Sequence, residues 1–126
     1  MSRQFPQPEG VATPTAPYSS VVVDGELVYT AGQVAFDEEG KLVPGGIEEQ
    51  AQRTLDNLAA CLRAAGASLE DVLKVNVYLA DLADFPGLNA VYSEFFPQPY
   101  PARTTVGVTL PAGLLVEIEA VARLRS

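Results

Sequence analysis

The chain has no histidine, no tryptophan, a single cysteine and only eight basic residues in 126. Each shortage excludes a class of chemistry. Without histidine there is no Ser–His or Cys–His nucleophile pair and no His-ligated metal site. One cysteine, Cys61, cannot close an internal disulfide. It lies beside Leu58 and Leu62 with no histidine to activate it, and reads as a core or subunit-facing thiol. Eight Lys+Arg against sixteen Asp+Glu leave a net charge of −8 and a pI near 4.3. The cations are scattered from Arg3 to Arg125 without a run. Such a surface repels phosphate backbones, so nucleic acid is not an expected partner. No apolar stretch approaches the ~20 residues of a membrane span, and the first eight residues have no apolar core of signal-peptide length. A cytosolic protein without a membrane partner is expected.

What is present is an ordinary globular composition, 48% apolar and 19% charged, at the length of one domain. Residues 1–17 carry Pro6, Pro8, Pro14 and Pro17 and form an extended arm of a single domain spanning 1–126. Two β-prone runs follow, Ser20–Val23 and Leu27–Ala31, and Asp24-Gly25 between them is a two-residue hairpin signal. Ile47, Ala51, Leu55, Leu58, Leu62 and Ala65 recur at spacings of three and four, which predicts a helix that Gly66 stops. Ser68 caps a short helical turn. From Val72 to Leu79 the residues alternate: Val75, Val77 and Leu79 on one face, Lys74, Asn76 and Tyr78 on the other. A second helix runs from Asp84, as N-cap, to Phe96, with Phe85, Leu88, Tyr92 and Phe95 as its stripe and Pro97 at its end. Two strands close the chain, about Arg103–Leu110 and Leu114–Leu124.

The order ββ-α-β-α-ββ predicts an α+β domain, a mixed sheet with two helices covering one face. The uncovered face is expected to carry Lys74, Asn76 and Tyr78, joined by Arg103, Thr105, Gly107 and Thr109. A small sheet with one bare face gains by pairing it with other copies of itself.

Arg103 is the leading candidate for chemistry. It opens a strand after Tyr100-Pro101-Ala102, and a guanidinium among hydroxyls, small residues and backbone donors suits a carboxylate held in a two-pronged grip. The alternative is a structural ion pair with Glu117 or Glu119. Those two carboxylates flank Ile118 on one strand face. They can serve as acid and base if their surroundings differ, or they form a solvated stripe. Tyr18 is either a binding tyrosine or a strand-start aromatic, and Asn89 is polar within the second helix. The glycines match no phosphate-binding spacing.

Ala16-Pro17-Tyr18, Tyr29-Thr-Ala-Gly32-Gln33, Leu55-Asp-Asn57-Leu, Leu88-Asn-Ala-Val-Tyr92, Pro101-Ala-Arg103-Thr-Thr-Val and Val116-Glu117-Ile-Glu-Ala, in this order, resemble the RidA (YjgF-type) family of reactive-intermediate deaminases. The resemblance implies a chorismate-mutase-like fold in which three chains close their sheets into a central barrel, with a ligand cleft at each subunit interface. It implies hydrolysis of 2-imino acids or their enamine tautomers, such as 2-aminoacrylate, to 2-oxo acids and ammonia, without cofactor or metal. By position, Arg103 would clamp the substrate carboxylate and the Thr105 backbone would hold the imine end. Glu117 would orient or activate the attacking water, and Tyr18 would enter from the neighbouring chain. Gly32 and Asn89 match binding positions. Two residues depart from the pattern: Thr105 stands where many relatives have Cys, and Ala31 where Ser commonly precedes the glycine. Two competing functions remain, a non-catalytic module binding small carboxylates such as 2-oxo acids, and a ribonuclease, which the acidic charge disfavours.

Overall fold

A computed structural model describes residues 3–125; Met1, Ser2 and Ser126, and with them the very start of the expected arm, lie outside the described residues. Strands β1 (Val21–Asp24) and β2 (Leu27–Thr30) form a hairpin. Helix α1 (Ile47–Ala64), β3 (Val72–Leu79), α2 (Phe85–Phe95), β4 (Ala102–Gly107) and β5 (Val116–Arg123) follow. The sheet order is β1-β2-β5-β3-β4, with β3 and β4 parallel and every other pair antiparallel. The expected mixed α+β sheet with two helices is therefore what the chain adopts.

The hairpin closes one residue later than the Asp24-Gly25 signal suggests. Asp24 pairs with Leu27, and Gly25-Glu26 form the turn. Gly25 at φ +63° supplies the left-handed backbone at the first turn position, where a side chain would strain it. The arm is tied back by mutual backbone hydrogen bonds between Gln4 and Val23.

Helix α1 begins where Glu49 accepts from the Gly46 amide and ends before Gly66, at φ +85°. Its stripe of Ala51, Leu55, Leu58 and Leu62 is buried, and Cys61 is wholly buried with it. These side chains meet Val75, Val77, Leu79, Val116, Ile118 and Ala120 in one core. In that surrounding, burial pushes the Cys61 thiol up to about 12, which makes it inert at physiological pH. Asp84 precedes α2 as expected, but its side chain caps nothing; Asp81 accepts from the Ala83 amide in the preceding turn.

Buried polar side chains of α1 hold the loops that surround the sheet. Gln50 donates to the Gly113 carbonyl (2.8 Å) and accepts from the Leu115 amide (2.9 Å), fixing the approach to β5. Asn57 donates to the carbonyls of Val34 and Phe36, and Arg53 donates to Phe36, Asn57 and Gly10. Such bonds satisfy loop carbonyls that would otherwise be buried unpaired.

One expectation is overturned. Arg103 and Thr105 do not share the bare face with Lys74, Asn76 and Tyr78. β4 pairs with β3 in the register Val75–Arg103, Val77–Thr105 and Leu79–Gly107, so these residues lie on the helix-covered side. The bare face instead takes Ala102, Thr104 and Val106, and Lys74 Nζ donates to Thr104 Oγ1 at 2.8 Å. β4 is the edge strand and neither of its faces is fully buried, so alternation along it carries little contrast.

Candidate functional site

Arg103 emerges on the covered side of β4, facing α2. Its guanidinium carbon lies 4.7 Å from the centroid of the Tyr92 ring and 5.5 Å from that of Phe85. Both distances fit cation–π contacts. Among the described residues no carboxylate forms an ion pair with Arg103, and neither Glu117 nor Glu119 approaches it. The structural ion pair considered above is therefore absent, and the donors of the guanidinium remain available.

The backbone of β4 adds to this. The Val108 amide donates to the Leu79 carbonyl of β3. Alternation along a parallel strand then turns Thr104 and Val106 toward β3, and turns the N–H groups of Arg103 and Thr105 toward the open edge. An edge amide and a guanidinium thus lie two residues apart on one strand. The hydroxyls of Thr105 and Tyr92 are buried here, and neither has a hydrogen-bond partner among the described residues. Tyr92, 5% exposed, has its phenol pushed up to about 12 by burial, with Arg103 acting in the opposite direction. Asn89, half-buried on α2, belongs to the same helix as this platform.

The second group of residues gathers where β2 ends beside β5. Beyond Thr30, β2 leaves its ladder with β5, and Thr30 Oγ1 takes over by accepting from the Ala120 amide (3.1 Å). The chain rejoins β5 at Gln33, which exchanges backbone hydrogen bonds with Ile118. Between these points Ala31 and Gly32 bulge outward. Gly32 is the close-approach residue: a Cβ there would sit 2.8 Å from Glu117 Cδ and closer still to Oε2. Only a glycine lets the carboxylate rest against the bulge. Tyr18 is exposed and lines, with Ser20, Gly32, Gln33 and the Val11–Thr15 stretch of the arm, a groove of about 510 Å³.

Glu117 and Glu119 both lie on the bare face, yet they are not equivalent. Glu119 accepts from the Tyr78 hydroxyl (3.0 Å) and from Asn76 Nδ2 (3.4 Å), one bond to each oxygen. Glu117 is half-buried and forms no side-chain hydrogen bond among the described residues. Burial, and secondarily the negative charge of Glu119, raise the Glu117 pKa above its ordinary value. One carboxylate is satisfied within the fold and the other is left free with an elevated proton affinity.

A single chain therefore presents two candidate half-sites. One is Arg103, Thr105 and Tyr92 on the covered side of β4, with Asn89 on the same helix as Tyr92. The other is Glu117 against Gly32 on β5, with Ala31 beside that glycine and the Tyr18 groove meeting it at Gly32. Tyr92, read from the sequence as part of the helical stripe and of a RidA-like segment, and Tyr78 and Asn76, read as bare-face residues, were not singled out as site residues. Phe85 and Tyr92, two helical turns apart on one face of α2, could have suggested a platform only if the facing strand were known.

A family model described as Endoribonuclease L-PSP matches residues 10–124. A RutC family protein of Pyrococcus abyssi is 45% identical over 124 residues, covering 97% of this chain and 98% of that protein. A protein of Dermatophagoides farinae named 2-iminobutanoate/2-iminopropanoate deaminase is 43% identical over 110 residues, 86% of each chain. The chain belongs to the RidA (YjgF-type) family. The crystal structure of RidA from an Antarctic Psychrobacter superposes with a TM-score of 0.90 at 41% identity, covering 96% of this chain and 99% of that one. The segment matched by the family model spans every candidate residue on both sides of the sheet.

Proposed function

We propose that this RidA-family chain hydrolyses small 2-imino acids and their enamine tautomers to 2-oxo acids and ammonia, with 2-iminopropanoate and 2-iminobutanoate as the substrate class. Relatives bearing that activity in their names, at 43–44% identity, support the reaction type. The observation that carries the reading is the pair of unsatisfied, opposite-natured groups, the free guanidinium of Arg103 and the free carboxylate of Glu117.

They sit on opposite sheet faces, and their strands are separated by β3, so the strand axes lie ~10 Å apart. A three- or four-carbon acid cannot touch both within one protomer. The working site accordingly pairs the Arg103 half of one chain with the Tyr18–Gly32–Glu117 half of a neighbour. A homotrimer whose sheets close into a barrel provides that junction and covers the bare face, where Tyr29 and Val106 are exposed.

In this site Arg103 grips the substrate carboxylate with two parallel hydrogen bonds. The outward amide of Thr105 holds the imine end. Glu117 takes a proton from water as its oxygen adds to C2, and the nitrogen is protonated to give a carbinolamine. Collapse of the carbinolamine forms the C=O bond, breaks the C–N bond and releases ammonia, the hydroxyl proton being returned to nitrogen. An imine carbon is already electrophilic, so positioning and one placed base can supply most of the acceleration. Thr105, where many relatives carry Cys, changes the pocket wall and not the backbone donor, whereas Ala31, where Ser is common, removes a hydroxyl and should shift substrate preference or weaken turnover.

The test generates imines from alanine, 2-aminobutyrate and leucine with an amino-acid oxidase and follows their loss as semicarbazones. Wild-type protein should accelerate loss, and Arg103→Ala should abolish the acceleration. Glu117→Gln should retain 2-oxo acid binding and lose turnover by about 10²–10³-fold. No acceleration by an assembled wild-type particle would establish the carboxylate-binding module instead. Light scattering should give about three times 13.4 kDa; a monomer would remove the shared site. The ribonuclease reading has no cationic run to support it.

A further inference from the structure

We propose that Glu119, tethered by Tyr78 and Asn76, is a positioning residue that keeps a fixed negative charge beside Glu117 and so holds Glu117 in readiness as the proton acceptor. The inference rests on the imine-hydrolysis reading for its kinetic consequence, and on geometry alone for the tether.

Glu117 and Glu119 stand two residues apart on the bare face of β5, each across from a β3 residue: Tyr78 opposite Glu117, Asn76 opposite Glu119. Tyr78 is therefore the cross-strand neighbour of Glu117, yet its hydroxyl donates diagonally to Glu119. The hydroxyl of Glu117's cross-strand neighbour is thus committed to Glu119, and among the described residues Glu117 is left with no side-chain donor. Asn76 occupies the second oxygen of Glu119. Had Tyr78 donated to Glu117, that bond would have stabilised the charged form and weakened it as a base.

The guanidinium that a neighbouring chain brings to the proposed junction is common to wild type and Glu119→Gln, so it cancels in their comparison. Within the chain, the other groups facing Glu117 leave this arrangement undisturbed. From β3 they are Tyr78 and, farther along, Lys74, whose ammonium is taken by Thr104 Oγ1. β2 presents Tyr29 opposite Val121, and Arg123 at the end of β5 is paired with Glu26. In the same row β4 presents only Val106, and the Ala31–Gln33 bulge has no titratable group. Consistently, the Tyr78 phenol is itself raised, first by burial, then by its bond to Glu119 and by both carboxylate charges.

The decisive variant is Glu119→Gln, which keeps an acceptor for Tyr78 but deletes the charge. Loss of a like charge lowers the proton affinity of Glu117. The acid limb of kcat should then move to lower pH, and variant-to-wild-type activity should rise about threefold from neutral to acidic pH. KM, governed by Arg103, should stay unchanged. Tyr78→Phe frees Glu119 to swing away and should give a smaller shift in the same direction; it decides the matter if Glu119→Gln does not assemble. A carboxyl 13C NMR titration of Glu117, without substrate, should show the same downward displacement in Glu119→Gln. Unshifted kinetics and unshifted titration would reduce the network to a structural brace and overturn the proposal. If wild type turns over no imine, the hydrolysis reading fails by itself, and the titration alone decides whether Glu119 tunes Glu117.

Discussion

Arg103 stands on the edge strand with its charge against the rings of Tyr92 and Phe85, while Glu117 stands on a central strand with its carboxylate against the bare backbone of Gly32. The first group is held by surfaces that attract it. The second is held by the absence of anything in its way, in surroundings that penalise its charge. The two arrangements suit two tasks. A binding cation needs a fixed geometry and a constant charge, whereas a base needs a proton affinity close to the working pH.

The sharpest way to break the comparison is at Arg103. Arg103→Lys keeps the charge but loses the planar fork, and an ammonium makes a single-pronged contact. We expect kcat/KM for small 2-imino acids to fall about 10²–10³-fold, mostly through KM. Near-normal efficiency would show that charge alone suffices and that the rings are incidental.

Gly32→Ala breaks the other half. The new Cβ would collide with the carboxylate, and Glu117 must rotate away. Kinetics should show kcat lower by about 10–100-fold with KM held within a few-fold, the reverse of the Arg103 pattern. A crystal structure of the variant with Glu117 unmoved would remove the close-approach role of this glycine.

A smaller effect separates the ring from its hydroxyl at Tyr92. Tyr92→Leu removes the aromatic face under Arg103 and should raise KM about 3–10-fold, in line with a contact of about 1 kcal/mol. Tyr92→Phe keeps the face and deletes a hydroxyl that is buried without a partner. It should leave KM unchanged and the fold as stable or more so. Equal KM changes in both variants would point to the hydroxyl instead of the ring.

Much of this half-and-half design was legible in the residues, and the exceptions share a cause. α1 and β3 are long, and their periods of 3.6 and 2 are written locally, so Leu55 and Leu62, or Val75 and Val77, announce the core side. β4 is short, lies at an edge and takes its facing from a partner strand reached across α2. Nothing local in Arg-Thr-Thr-Val-Gly says that Arg103 registers with Val75. Glu117 and Glu119 are identical residues in near-identical positions of one strand. Their difference is imposed by Gly32, Tyr78 and Asn76, from two other strand regions, and no spacing rule within β5 contains it.

The smallest predicted effect is one of stability, and it has the opposite sign from the losses of activity. Because burial raises the Glu117 pKa, the folded protein binds that proton more tightly than the unfolded chain does. Stability therefore falls as pH rises from the unfolded-state value through the raised folded-state one, and at neutral pH the ionised Glu117 costs the fold free energy. Glu117→Gln removes that cost. Its melting temperature at pH 7 should exceed that of wild type by roughly a degree or two, and the gap should close as acid protonates the native carboxyl. Arg103→Lys should show no such gain, since its cation rests on rings that favour it. A Glu117→Gln variant no more stable than wild type at pH 7 would mean that the carboxylate sits comfortably ionised, and the two halves of the site would then differ in position but not in strain.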